Sequence, residues 1–229
     1  LHADAKYADV VERVIYNGAL SGVSLDGEKF FYVNPLASRG RHHRQSWFGC
    51  ACCPVNVVRF LPTVGGYAYA YDNQGIYVNQ YLASRGTVAL KGQKILLTQE
   101  TRYPWEGAVK LTLDPAETAD FTLHLRIPGW LQGAPSPEDL YVSEGQPESG
   151  AMTLKVNGQA VRNIEVEKGY ARLNRAWKKG DQVELEMPMS IQRIKANPKV
   201  KADIGRVALQ RGPVVYCLEG VDNENNVRS

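Results

Sequence analysis

No stretch of this chain approaches the roughly 18 consecutive apolar residues that a membrane helix needs, and its first residues do not form a signal peptide. Charge of one sign is lacking too. The 27 Lys and Arg residues are scattered among 24 Asp and Glu, the net charge is +3, and the pI is about 8.6. No Lys/Arg stripe of the kind that neutralises phosphates is present, so neither a nucleic-acid nor a membrane partner is expected. No strand runs into a glycine-rich phosphate loop and helix, and no C-x-x-C pair marks a dithiol redox centre. Nor does a pair of carboxylates suited to acid/base work offer itself. Glu100, Glu106, Asp114 and Glu117 sit on or beside turns and read as solvated surface. The chain also lacks an initiating methionine, opening Leu1-His2-Ala3-Asp4 and stopping in the polar run Asn223-Glu224-Asn225-Asn226. It reads as a fragment, so missing targeting signals carry no weight.

Cysteine is scarce, with four in 229 residues, yet three of them fall within four positions: Trp47-Phe48-Gly49-Cys50-Ala51-Cys52-Cys53-Pro54-Val55-Asn56. Adjacent Cys52 and Cys53 can hardly bridge each other without strain. Metal ligation or thiolate chemistry remains. Proline is favoured at the first helical position, so Pro54 predicts a helix from there to about Leu61, with Cys53 near its cap and Cys52 just outside. The positive end of a helix lowers a thiol pKa, and the thiolate is the nucleophile and the zinc ligand. Zinc wants four ligands, and this spacing is too cramped to close a tetrahedral shell by itself. His42 and His43 lie close enough upstream to reach a metal, but their neighbours Arg39, Arg41 and Arg44 fit a solvated loop better. Cys217, inside Val214-Val215-Tyr216-Cys217-Leu218, reads as a buried structural residue of a strand. Clustered thiols outside a disulfide pattern favour a reducing compartment, hence the cytoplasm.

With 44% hydrophobic residues the chain can bury one large core or two modest ones, and its composition is that of a soluble globular protein. Asp4 can cap a helix whose apolar residues Tyr7, Val10, Val11 and Val14 recur at three- and four-residue steps until Asn17-Gly18 ends it. Lys29-Phe30-Phe31-Tyr32-Val33-Asn34-Pro35 is a short strand or extended segment stopped by proline. After Gly65-Gly66 the period becomes two. β-prone runs are expected at 67–71, 75–81, 87–90, 94–98, 108–113, 120–127, 152–156, 170–173, 182–187, 207–209 and 214–218. Asn157-Gly158 is a strong two-residue hairpin turn and Gly180-Asp181 another turn. The section 132–150, rich in Pro, Ser, Gly and Glu, reads as a surface excursion. Many short strands at close spacing predict a mainly β chain built as an antiparallel β-sandwich. Tyr67, Tyr69 and Tyr71 share one face of a strand. They and Trp105, Trp130 and Trp177 serve a core more cheaply than a sugar platform.

The cysteine block, preceded by Tyr16-Asn17-Gly18 and Phe30-Phe31-Tyr32-Val33-Asn34-Pro35, resembles the bacterial β-L-arabinofuranosidases of glycoside hydrolase family 127. Leu125-Arg126-Ile127-Pro128-Gly129-Trp130, Gly169-Tyr170, Trp177-Lys178-Lys179-Gly180-Asp181 and Gly205-Arg206-Val207-Ala208-Leu209-Gln210-Arg211-Gly212-Pro213 look like that family's C-terminal β domains. The resemblance implies that residues 1–65 are the last piece of an (α/α)₆ catalytic barrel and residues 66–229 the β-sandwich region. It also implies zinc held by cysteines and a glutamate, one cysteine doubling as the nucleophile of a retaining glycosidase, and a separate acid/base glutamate. By motif position Cys52 is nucleophile and zinc ligand, Cys53 a second zinc ligand, and Tyr32 and Asn34 match a segment lining the sugar site, a plain buried-strand role for Tyr32 standing beside that reading. Cys50 is assigned no ligand role. The remaining ligands and the acid/base belong to family segments that precede Leu1, so the chain alone should be catalytically silent.

Two other readings compete. A non-catalytic carbohydrate-binding sandwich would need an exposed aromatic patch, and a thiol-based metal or redox module ranks last because C-x-x-C is absent. Two helices cannot close a helical barrel. Residues 1–65 should therefore present apolar surface, inviting a homodimer or looser self-association.

Overall fold

The structure is a computed structural model that describes residues 2–35, 38, 41–50, 52–136, 139–144, 152–218 and 223. Arg39 and residues 224–226, used above, lie outside the described residues. Asp4 accepts a hydrogen bond from the Lys6 amide and caps helix α1 (Ala5–Arg13). Asn17-Gly18 does not stop the chain there. A π-helical turn (Val14–Ala19) and a 3₁₀ turn (Leu20–Gly22) carry it on. The buried stripe of α1 is Ala5, Ala8 and Glu12, whereas Tyr7, Val10 and Val14 face outward. Residues 25–28 then turn between Ser24 and Lys29, and isolated bridges join Phe30 to Val23 and Gln45. Helix α2 (Cys52–Phe60) follows, with no buried residue, and then a 3₁₀ turn (Leu61–Tyr67).

Among the described residues fifteen strands follow, with short 3₁₀ turns at Gly129–Gln132 and Lys201–Asp203. The first six are β1 (Tyr69–Tyr71), β2 (Gly75–Val78), β3 (Ser84–Leu90), β4 (Gln93–Thr101), β5 (Ala108–Pro115) and β6 (Ala119–Arg126). Then come β7 (Tyr141–Glu144), β8 (Thr153–Val156), β9 (Gln159–Ala160), β10 (Glu165–Glu167) and β11 (Tyr170–Trp177). The last are β12 (Asp181–Glu186), β13 (Ile191–Ala196), β14 (Ala208–Arg211) and β15 (Val214–Tyr216). They form three sheets, ordered β1-β2-β6-β11-β10, β3-β4-β5-β12-β8-β9 and β15-β14-β13-β7. Mainly antiparallel β architecture after a small helical region is what the alternating pattern predicts. The exception is the parallel pair β2–β6, because the chain leaves the first sheet to lay down β3, β4 and β5 in the second and returns in its original direction.

The first two sheets share one apolar core. Ile76, Leu123 and Leu125 from one and Ile95, Leu97, Leu111, Leu113 and Val183 from the other are essentially inaccessible. Trp177 and Trp130 are buried too, the Trp177 indole donating to the Phe121 carbonyl at 3.0 Å. Trp105 is exposed, Tyr67 lies in the 3₁₀ turn rather than on a strand with Tyr69 and Tyr71, and Asn157-Gly158 forms the β8–β9 hairpin turn with both residues at positive φ.

Strands β7, β10 and β13 escape the sequence pattern. β7 lies inside the expected excursion, whose positions 137, 138 and 145–150 fall outside the described residues. It is held by a distant partner, pairing with β13, and Glu144 forms ion pairs with Arg193 and Lys195.

The helical region is fastened to the sandwich by a buried charge cluster. The fully buried Arg126 guanidinium of β6 donates to Asp9 at 2.5 Å and to both Glu12 oxygens at 2.5 and 3.2 Å, and its Nε to the Asn79 carbonyl. Tyr103 donates to Glu12 and accepts from the Trp130 indole. Beside this cluster α1 nearly touches the β10–β11 turn. The Ala5 amide donates to the Lys168 carbonyl, and a Cβ on Gly169 would meet Ala5 Cβ at 2.6 Å.

Candidate active site

Helix α2 begins at Cys52, two residues before Pro54. Proline loses nothing there, since every first-turn amide lacks an intrahelical partner, so the helix starts earlier than proline-at-N1 reasoning places it. Cys52 and Cys53 thereby become the first two residues of the helix, and Asn56, one turn on, donates its side-chain amide to the Cys52 carbonyl at 2.7 Å. That brace went unread in the sequence, although the i to i+4 spacing offered the signal.

The structure brings Cys52, Cys53 and Tyr32 together. Cys52 Sγ lies 3.7 Å from Cys53 Sγ and 3.8 Å from the Tyr32 hydroxyl oxygen, and the Cys53 thiol reaches the Tyr32 carbonyl at 4.0 Å. Phe48 packs against Phe30 and Tyr32 with ring centroids 5.2 and 5.6 Å apart, supporting the tyrosine from behind. Asn34, two residues further on, donates its amide to the Gly18 carbonyl at 3.2 Å and lies so close to Gly22 that a Cβ there would come within 3.3 Å of it.

Electrostatics divides the roles. Hydrogen bonding from Tyr32, and then from Cys50 and Cys53, holds the Cys52 thiol below its ordinary range. The same bond and the adjacent sulfur charge push Tyr32 up to about 12. Desolvation, and then the Cys52 bond, push Cys53 up. The arrangement therefore stabilises an anionic Cys52 sulfur facing a tyrosine that keeps its proton.

As a metal site the cluster is partial. A tetrahedral cation with Zn–S bonds of about 2.3 Å sets its sulfurs about 3.8 Å apart, and the observed 3.7 Å fits. Yet among the described residues no group of three or more His, Cys, Asp or Glu is arranged to hold a metal ion. His42 is engaged elsewhere, its Nε2 lying 2.7 Å from the Val33 carbonyl with the ring stacked on Phe31. Cys217 is exposed beyond the end of β15. The expected buried strand is an edge strand whose neighbour in the sheet is β14, and its residues are half-buried or exposed. A cleft of about 630 Å³ lies between α1 and the segment 127–136, and no cysteine lines it. Among the described residues no helix is long and apolar enough to cross a membrane.

Comparison with known proteins gives these residues a context. Three domain descriptions match in series: "Beta-L-arabinofuranosidase, GH127 catalytic domain" over residues 1–66, "Beta-L-arabinofuranosidase, GH127 middle domain" over 75–189 and "Glycoside hydrolase family 127 C-terminal domain" over 191–229. The chain is 36% identical to a non-reducing end beta-L-arabinofuranosidase of Bifidobacterium longum subsp. longum, over 99% of its own length and 34% of that protein's. A solved GH127 beta-arabinofuranosidase superposes with a TM-score of 0.92 at 52% identity, covering 97% of this chain and 34% of the other. A second solved structure, a GH127 beta-L-arabinofuranosidase from Geobacillus stearothermophilus T6, gives 0.84 at 43% identity, with 97% and 34% coverage. The chain thus spans about a third of the length of these relatives. The cysteine pair falls in the part that matches the catalytic domain and the sheets in the parts that match the other two, so this chain belongs to glycoside hydrolase family 127.

Proposed function

We propose that this chain is the sandwich-bearing third of a retaining glycosidase that releases β-L-arabinofuranose, or a closely related sugar, by nucleophilic attack of Cys52. The observation that carries the reading is the Cys52 sulfur, 3.8 Å from the Tyr32 hydroxyl that lowers its pKa, at the start of α2 in the segment that matches the family's catalytic domain.

Most retaining glycosidases attack the anomeric carbon with a carboxylate about 5–5.5 Å from the acid/base carboxyl. A thiolate is an intrinsically stronger nucleophile, and its helix-end position keeps it charged. Cys52 attacks, the glycosidic bond breaks, and the sugar is transferred to sulfur until water displaces it. Tyr32 donates its hydroxyl proton to the sulfur while it is free and orients it. Asn34 presents its amide to the sugar, and Cys53, which keeps its own proton longer, stands beside the nucleophile. Cys52 and Cys53 would hold zinc, a soft-donor pair at a fitting separation, and the ion when bound supplies Lewis-acid charge that favours thiolate. The proton for the leaving oxygen and the other ligands come from parts of the enzyme that this third does not contain.

The test is a chimera in which this chain replaces the matching third of the 52% identical relative. It should hold stoichiometric zinc and cleave an aryl β-L-arabinofuranoside, with Cys52→Ser abolishing turnover and Cys53→Ser lowering zinc content. Turnover that survives Cys52→Ser removes the nucleophile assignment. The 229-residue chain by itself should release no arabinose, because a missing proton donor alone typically costs about 10²–10⁴-fold. Outward-facing Tyr7, Val10 and Val14 of α1 and Val55 and Val58 of α2 would pack against the rest of the catalytic domain. In the isolated chain they favour self-association, visible as concentration-dependent size in light scattering.

The competing sugar-binding reading loses Trp130 and Trp177 to the core, whereas Trp105, Tyr67 and Tyr71 are exposed. Localisation in the cytoplasm stays a proposal, resting on three clustered thiols with no disulfide among them.

A further inference from the structure

We propose that Asn17 is a positioning residue for the candidate site, clamping the turn of the C-terminal sheet to the helical segment on which Asn34 and Tyr32 are hung. In its functional consequence the proposal rests on the glycosidase reading above.

The motif Tyr16-Asn17-Gly18 read as a helix stop in the sequence, and the structure gives it another task. The Asn17 side-chain amide donates to the Pro213 carbonyl at 2.8 Å and to the Arg13 carbonyl at 3.2 Å, and its oxygen accepts from the Val215 amide at 2.8 Å. Both ends of one side chain are thereby used across 196 and 198 residues of sequence, straddling the turn between β14 and β15. The segment so held is a π-helical turn, a rare conformation that recurs at functional sites. No local signal asks for it, whereas the clamp explains why the chain passes through Asn17-Gly18 without breaking.

What the turn carries is the site. The carbonyl of Gly18, the next residue, receives the Asn34 amide, the Gly22 carbonyl receives the Phe31 amide at 2.9 Å, and the Ser21 carbonyl receives Arg44 at 2.7 Å. Residues 18–22 are thus the frame against which the extended segment 30–34 is aligned, and Tyr32 on that segment faces the Cys52 sulfur. The other ties of the segment are to residues 42–53, through the Phe30–Gln45 bridge, His42 on the Val33 carbonyl and Phe48 on Tyr32, and none of them joins it to the sandwich. The Arg126 cluster fixes the helix one turn earlier, at Asp9 and Glu12, and does not reach residues 18–22. A C-terminal sheet with no nucleophile of its own in the cluster thereby sets the position of a side chain that would touch sugar.

The test uses this chain with Asn17→Ala, which deletes all three hydrogen bonds, and Asn17→Asp, a milder variant that keeps only the bond from Val215. Hydrogen exchange followed by mass spectrometry reads the Phe31 and Gln45 amides against the Leu123 and Leu173 amides of the sandwich core in the same molecule. Exchange at Phe31 and Gln45 should rise on the order of tenfold or more in Asn17→Ala and less in Asn17→Asp, with the core amides unmoved. In the chimera described above, the same substitution should raise KM about tenfold and leave kcat within about twofold, the signature of lost sugar positioning without lost chemistry. Unchanged Phe31 exchange in both variants overturns the proposal. So does a parallel rise at Leu123 and Leu173, which would make Asn17 a general stability residue. If Phe31 opens as expected but the unsubstituted chimera cleaves no arabinofuranoside, the glycosidase reading fails and the clamp stands.

Discussion

The sandwich and the segment before it are built on opposite plans. In β4, β5 and β6 alternate side chains are removed from water almost completely, and Leu97, Leu113 and Leu123 have no accessible surface. Helix α2, which carries the nucleophile candidate, buries none of its nine residues. Burial scaled at about 25 cal/mol per Å² makes the first region self-supporting and leaves the second dependent on polar ties. Those ties are few and specific: Arg126 to Asp9 and Glu12, Gly169 under Ala5, and Asn17 across the last turn. The candidate site thus sits on the portion with the least core of its own, held by contacts from the portion with the most.

The largest expected effect strikes the tie that joins the two regions. Arg126→Met leaves Asp9 and Glu12 buried without their counter-charge and should cost about 3–5 kcal/mol in urea unfolding. A cost below about 1 kcal/mol would mean that α1 detaches freely and that the comparison has no joint. Within the sandwich, Leu123→Ala should cost about 2–5 kcal/mol, while Val58→Ala on exposed α2 should stay within about 0.5 kcal/mol. Equal costs for the two would erase the contrast. Gly169→Ala combines a positive φ of 80° with a Cβ clash at Ala5 and should cost about 1–3 kcal/mol, read most directly as early proteolysis near α1.

The smallest effect comes from pH. Burial, and then the neighbouring Arg172 charge, hold His124 below its ordinary 6.5. A depressed pKa contributes stability that is full above 6.5 and lost as pH falls toward the folded value. Asp72 and Asp181 titrate later. Burial alone would raise each, but the Gln74 and Gly75 amides with the Tyr77 hydroxyl at Asp72, and the Lys178 amide with Asn157 and the Arg175 charge at Asp181, together outweigh it and hold them below 3.8, so their contribution disappears only in stronger acid. Thermal midpoints should decline in two stages between neutral pH and pH 3, and His124→Gln should remove the first stage. A single transition near pH 4 in both proteins would count against the His124 assignment.

Much of the sandwich is legible in the residues because alternation is a local signal. Runs such as Lys94-Ile95-Leu96-Leu97-Thr98 place every second side chain inward, and the structure agrees. Three strands are not legible, for separate reasons. β10 is three residues of Glu-Val-Glu, all exposed, held by pairing with β11 and by Arg172. β13 alternates weakly, because a glutamine and an isoleucine are its inward residues. β7 owes its place to charges and a ladder supplied from β13. In the candidate site the cysteine cluster is visible in the sequence. Its braces are not. Phe48, Asn56 and Asn17 are ordinary residues until the fold sets them beside the Tyr32 ring, the Cys52 carbonyl and a distant turn.

Residue identity by itself therefore determined the β period, the hairpin at Asn157-Gly158 and the presence of soft, nucleophilic sulfur before a proline, because each depends on neighbours along the chain. Only the tertiary structure decided which face of α1 is buried, that Arg126 is a core residue, and that the Cys52 thiol is held below its ordinary range while Tyr32 is pushed up. Those outcomes turn on desolvation and on partners more than a hundred residues away for Arg126 and twenty away for Cys52, across distances that a local pattern does not record.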